Sequence, residues 1–130
     1  MKRMRMPIAR VLAPVFLAAI LCVSGIQAQE STKAAQTSAE TWLALIDSQS
    51  YAASWDAAAT GFRNAITSEK WQAAVQAVRG PLGPLKLRTL KSTTSTTTLP
   101  GAPDGEYVVF QFNTSFEQRA AAVETVTAVR

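Results

Sequence analysis

The sequence predicts an α+β domain in which helices come first and an antiparallel sheet follows, and three observations carry that prediction. Apolar residues between positions 31 and 79 recur at three- and four-residue spacing, the period that stacks side chains on one face of a helix. From Leu85 onward the period becomes alternating, as a pleated strand requires. Between the two alternating runs, Leu99 to Gly105 contains two prolines, two glycines and an aspartate, the residues that turns favour. Helices followed by a meander predict helices packed on one face of a curved antiparallel sheet.

A leader precedes the domain. Lys2, Arg3, Arg5 and Arg10 stand without an acid, Val11 to Ile26 is apolar, and Ile26-Gln27-Ala28 resembles a small-residue cleavage signal. The pattern predicts a signal peptide over 1–28, cleavage between Ala28 and Gln29, and export to the periplasm or the medium. The apolar run has 16 residues from Val11 to Ile26, including Pro14. That is short of the roughly 20 that a spanning helix needs, so a membrane association would run only through an uncleaved leader. Cys22 is the one cysteine. Ile20-Leu21 before it do not fit a lipid-attachment site, and its loss with the leader removes any disulfide.

The expected domain spans 29–130, about enough chain for one core. The first helix is predicted over 31–47, capped by Ser31 or Thr32, with Ala35, Ala39, Trp42, Leu43 and Ile46 on its apolar face. Ser48 or Ser50 can cap a second helix carrying Tyr51, Trp55 and Ala59, which Thr60-Gly61 ends or kinks before Phe62. A third opens at Thr67-Ser68, has Glu69 at the positive end of its dipole and turns Trp71, Val75 and Val78 to one side. Arg79-Gly80-Pro81 is expected to close it.

Leu85 begins the first strand, where Leu90 falls out of phase and marks a bulge. Ser92 to Thr98 is almost all threonine, which suits an exposed pleated surface. Glu106 to Phe116 follows with Val108, Phe110, Phe112 and Phe116 on one face, opposite Tyr107, Val109, Gln111 and Asn113. After a short turn at Gln118-Arg119, Ala121 to Val129 forms a further strand.

Composition excludes several chemistries. Of thirteen Lys and Arg, four lie in the leader, leaving nine against nine acids in 29–130. The net charge of +4 therefore belongs to the leader, and no basic patch stands ready for nucleic acid. There is no histidine, so His-based nucleophile systems and the commonest metal ligand are absent. Gly80 to Pro84 has prolines where a phosphate cradle would need N–H donors. No metal and no cofactor is implied, and no residue is assigned as catalytic.

Carboxylates and phenols remain. Asp47 and Asp56 flank Tyr51, and their expected role is at the surface or as helix caps. Glu124 lies between Val123 and Thr125; if it shares a face with Val126 and Ala128, it must pair with a cation such as Arg79 or Arg88 or be protonated. The three tryptophans fall one to a helix and are expected in the core. They also make candidate walls for a pocket together with Tyr51, Tyr107 and Glu124.

Trp42-Leu43, Asp47, Tyr51, Ser54-Trp55, Phe62-Arg63, Trp71, Arg79, Pro81 to Gly83 and Arg88 run in an order that continues through Leu99 to Tyr107, Phe116 and Glu124 to Val126. These residues resemble a family of small exported bacterial proteins known as domain of unknown function 4019, over a match from about Ser38 to the end. The family is similar in architecture to the nuclear transport factor-like and cystatin-like cones, which hold pocket enzymes such as ketosteroid isomerase as well as non-catalytic binding domains. The resemblance implies a last strand with an aromatic-Arg-Val pattern, and the sequence stops at Arg130 before it. The expectation is either a truncated chain, its sheet missing this strand, or a last strand left at an exposed edge.

The function expected is a non-catalytic exported domain that binds a small apolar ligand or a protein partner. A cofactor-independent lyase or isomerase using Asp47, Asp56 or Glu124 with Tyr51 or Tyr107 is the alternative. A homodimer paired through the sheet is the third reading.

Overall fold

The structure, a computed structural model, describes the backbone of residues 17–130 and the side chains of residues 29–130. The basic start of the expected leader and the side chains of Cys22 and Ala28 lie outside these residues. Four helices precede three strands: α1 (Leu17–Asp47), α2 (Tyr51–Ala57), α3 (Thr60–Ala65), α4 (Ser68–Leu82), β1 (Leu85–Thr96), β2 (Tyr107–Phe116) and β3 (Arg119–Val129). The strands form one antiparallel meander in the order β1-β2-β3. The α+β architecture is the one the change of period predicts.

Helix boundaries depart from expectation. α1 does not begin at Ser31 or Thr32 but runs through them, since neither glycine nor proline occurs between Ile26 and Asp47 to stop it. Ser31 is a buried position instead of a cap. The second helix breaks at Ala58 and Ala59, both extended, so Thr60-Gly61 opens α3. A tertiary bond accompanies that reversal: the Trp55 indole N–H donates to the Ile66 carbonyl at 2.8 Å. Ser50 makes no side-chain cap bond, whereas Thr67 accepts from the Lys70 amide and caps α4.

α4 does not close at Gly80-Pro81 but carries Pro81 inside its last turn. Gly80 before it has no Cβ to clash with the proline ring. The stop comes at Gly83, whose φ of 74° and ψ of −171° lie where glycine alone is comfortable. Val78 is 63% exposed, not packed beside Trp71 and Val75. α2, the helix against α4, has seven residues and is about 10 Å long, too short to cover the whole of that face.

The sheet places the core. Val108, Phe110, Phe112, Thr114 and Phe116 are buried along the inner face of β2, flanked by Ala128 of β3. Ala39 and Leu43 of α1 close over them, with Ala35, Trp42 and Val126 at the margin. Each fully buried large apolar side chain stabilises the fold by about 1.5–3 kcal/mol. α1 packs on β2 and β3. The inner side of β1 is less covered: Leu90, opposite Phe112, is 41% exposed. The register shifts between Leu90 and Ser92, a bulge beside the residue that broke the alternation.

Candidate functional site

Two places concentrate chemistry, an ionic cluster between helices and sheet and the outer face of the sheet. The cluster joins the ends of two helices to two strands. Asp47 is the last residue of α1, Arg79 is in the last turn of α4, Arg88 is on β1 and Glu124 on β3. Register puts Arg88 opposite Thr114 and Glu124 opposite Phe112, so both point to the inner face.

Arg88 holds both acids. Its Nε and Nη2 donate to Glu124 at 2.7 and 3.2 Å, and its Nη1 and Nη2 donate to Asp47 at 2.7 and 2.9 Å. Arg79 Nη2 donates to Asp47 Oδ1 at 2.9 Å, not to Glu124, and the Thr114 hydroxyl donates to Glu124 at 2.6 Å. The four charged side chains are between 10 and 18% exposed, and two cations balance two anions. Forked guanidinium bonds to carboxylates are among the strongest polar contacts available, and here they tie α1, α4, β1 and β3 together.

Electrostatics follow that geometry. Burial alone pushes the Asp47 carboxyl up, but the hydrogen bonds from Arg88 and Arg79 and the charges of both outweigh it and hold it below its usual range. Burial likewise opposes the Arg88 cation, and the bonds to Asp47 and Glu124 reverse this and raise its affinity for the proton. Arg79 lies over the Phe116 ring with 4.7 Å from its central carbon to the ring centroid, while its Nε and Nη1 are buried without a hydrogen-bond partner among the described residues. Asp47 is thus an interior partner of two arginines, not the surface or capping residue expected. Asp56 is exposed.

The aromatic candidates are bound into packing. Trp42 of α1 donates to the Ser54 carbonyl at 2.8 Å, Trp71 of α4 donates to the Ser54 hydroxyl at 2.9 Å, and that hydroxyl donates to the Tyr51 carbonyl at 2.6 Å. Trp42 and Trp71 stack with centroids 5.8 Å apart, and Phe62 meets Trp71 edge-on at 4.9 Å. Ser54, fully buried, therefore joins three helices, a role its neighbours in sequence do not announce. Tyr107 lies on the opposite side of the sheet from Phe110, and its hydroxyl donates to the Pro103 carbonyl. Neither tyrosine is hydrogen-bonded to a carboxylate among the described residues. No three His, Cys, Asp or Glu side chains gather there as metal ligands either.

The outer face of the sheet is composed differently. Its rows across β1, β2 and β3 read Thr96, Tyr107, Val129; Thr94, Val109, Thr127; Ser92, Gln111, Thr125; and Thr89, Asn113, Val123. A fifth row pairs Leu87 with Ser115. None of these residues is charged. Leu87 is 62% and Val123 51% exposed, and they line an open groove of about 710 Å³ with Thr89, Asn113 and Ser115; Arg119 is the one charged residue in its wall.

A comparison with protein families matches residues 38–130 to the model described as protein of unknown function, DUF4019. The chain belongs to that family. No curated protein and no solved structure matches it. No described helix is long and apolar enough to cross a membrane.

Proposed function

We propose that this member of the DUF4019 family is a non-catalytic exported binding domain that engages a protein partner through the outer face of its sheet. The observation that carries the reading is the outer face, on which exposed Leu87 and Val123 border an open groove with Arg119 as the one charged residue in its wall, among the described residues. An open groove suits side chains presented by another surface better than an enclosed small molecule. The helix side offers less: Phe110, Phe112, Ala39 and Leu43 fill it, and both cluster carboxylates already accept from arginine. Helices on one face of an antiparallel meander also support the likeness to cystatin-like cones, as part of the same proposal.

Export is the expectation drawn from residues 1–28, and the experiment tests both points at once. A photo-reactive residue is placed at Asn113 on the outer face, or at the exposed Gln76 on α4, in cells making the full chain. The expected result is a discrete adduct from Asn113 and none from Gln76, on a protein whose mass begins at Gln29. Equal labelling from both positions, or none from either, counts against the binding face; an intact Met1 counts against cleavage.

A further inference from the structure

Resting on the reading of the outer face as a binding surface, we propose that its groove takes an acidic side chain together with apolar ones, presented on an extended segment of a protein partner. The groove exists because β3 places Ala120, Ala121 and Ala122 beside larger side chains on β1 and β2. No further strand lies beyond β3 among the described residues. Leu87 on β1 and Val123 on β3 stand exposed at its two sides, and Arg119 forms the wall where β3 leaves the β2–β3 turn.

Arg119 sets the chemistry of the occupant. Among the described residues the other four arginines, Arg63, Arg79, Arg88 and Arg130, each donate to a side chain of the fold. The exposed Arg119 side chain has no such partner, and Glu117, the nearest acid in sequence, makes no ion pair with it. A guanidinium binds a carboxylate through two parallel N–H bonds, so the group complementary to this wall is an acid, and the group complementary to Leu87 and Val123 is apolar. Nucleic acids and anionic lipid surfaces call for clusters of basic residues, whereas the groove has one. Arg119 and Val123 lie four residues apart on β3, about 13 Å, and an extended segment repeats its same-side positions about every 7 Å. Apolar side chains at the first and third positions and a carboxylate at the fifth therefore match Val123, the alanine floor and Arg119 in turn. So short a contact forms a weak, reversible complex whose selectivity rests on the charge.

The test is an amide-resonance titration of the protein recovered from the cells that make it, with the acetylated and amidated peptide Leu-Thr-Val-Thr-Glu raised to low millimolar concentration. Both ends are capped, so the glutamate holds the peptide's only charge. The expected result is graded shifts at Asn113, Arg119, Ala121 and Val123, and at least tenfold weaker binding when glutamine replaces the glutamate. Arg119→Lys should keep the preference for the acid; Arg119→Glu should reverse it, losing the acidic peptide and taking its lysine counterpart, with a dispersed amide spectrum showing that each variant is folded. No shifts, equal binding of the glutamate and glutamine peptides, or binding that Arg119→Glu leaves intact overturns the proposal. So does parent protein that ignores the peptide but sediments with phosphatidylglycerol vesicles, which assigns the groove to a membrane surface. If Asn113 still photo-crosslinks to a discrete protein in cells making Arg119→Glu, the acidic anchor fails and the binding face stands.

Discussion

Ser54 carries more of the helical packing than its size suggests. Its hydroxyl accepts from Trp71 and donates to the Tyr51 carbonyl, while its own carbonyl accepts from Trp42. Ser54→Ala removes the acceptor for a half-buried indole N–H and leaves the Trp42 bond in place. The expected cost is about 1–3 kcal/mol, the penalty of an unsatisfied buried donor, read as a lower urea midpoint with an unchanged slope. Asp47 teaches the complementary lesson. Its arginine partners stand 32 and 41 residues away, so nothing in its local sequence separates it from an exposed helix-end acid. Glu124 was easier to place, because the alternation through Val126 and Ala128 sets its face, and an acid among inward-facing residues requires a cation.

At the scale of elements, the pattern of the strands was legible because period two is local, whereas helix ends were set by contacts distant in sequence. The bulge beside Leu90 follows from a break in alternation that any reader can see; the break at Ala58 follows from folding α3 back onto Trp55. Gly83 is the sharpest case. Gly80-Pro81 is the stop its sequence suggests, and the tertiary connection places the end at Gly83 instead. The amide of Gln118 donates to the Leu82 carbonyl and that of Glu117 to the Pro84 carbonyl, which stitches the α4–β1 connection to the β2–β3 turn. A Cβ at position 83 would lie 3.2 Å from Gln118 Cγ and 3.4 Å from Glu117 Cβ, on a backbone with positive φ. Gly83→Ala is therefore expected to cost about 1–3 kcal/mol by strain, measured as a lower melting temperature. Gly61→Ala, with negative φ and open space around it, serves as the control and should leave stability unchanged or slightly raised.

At the scale of the whole molecule, the ionic cluster makes folding depend on acid in a definite direction. The elements it joins are far apart in sequence, and α1, α4, β1 and β3 meet at Asp47, Arg79, Arg88 and Glu124. Arg88 remains protonated throughout the accessible range, and folding lowers the proton affinity of Asp47. Its carboxyl binds a proton less readily in the folded chain than in the unfolded one, where the ordinary value is 3.8. The unfolded state then binds more protons near that pH, and stability falls as pH falls. The contribution is fully present above the unfolded value and is lost as pH drops through the folded one. Melting temperature is accordingly expected to hold near neutrality and decline below about pH 4. Asp47→Asn removes this carboxyl, lowers stability at pH 7 and flattens that acid decline, because the variant has no proton to take up at position 47. Because the cluster is mostly buried, added salt should change the neutral melting temperature little, whereas an exposed pair would be screened. Thermal melts of parent and variant at pH 7, 4 and 3, each at low and high salt, check all three outcomes. Equal acid slopes in the two proteins would mean that Asp47 titrates alike in the folded and unfolded chains and does not supply the acid-sensitive contact.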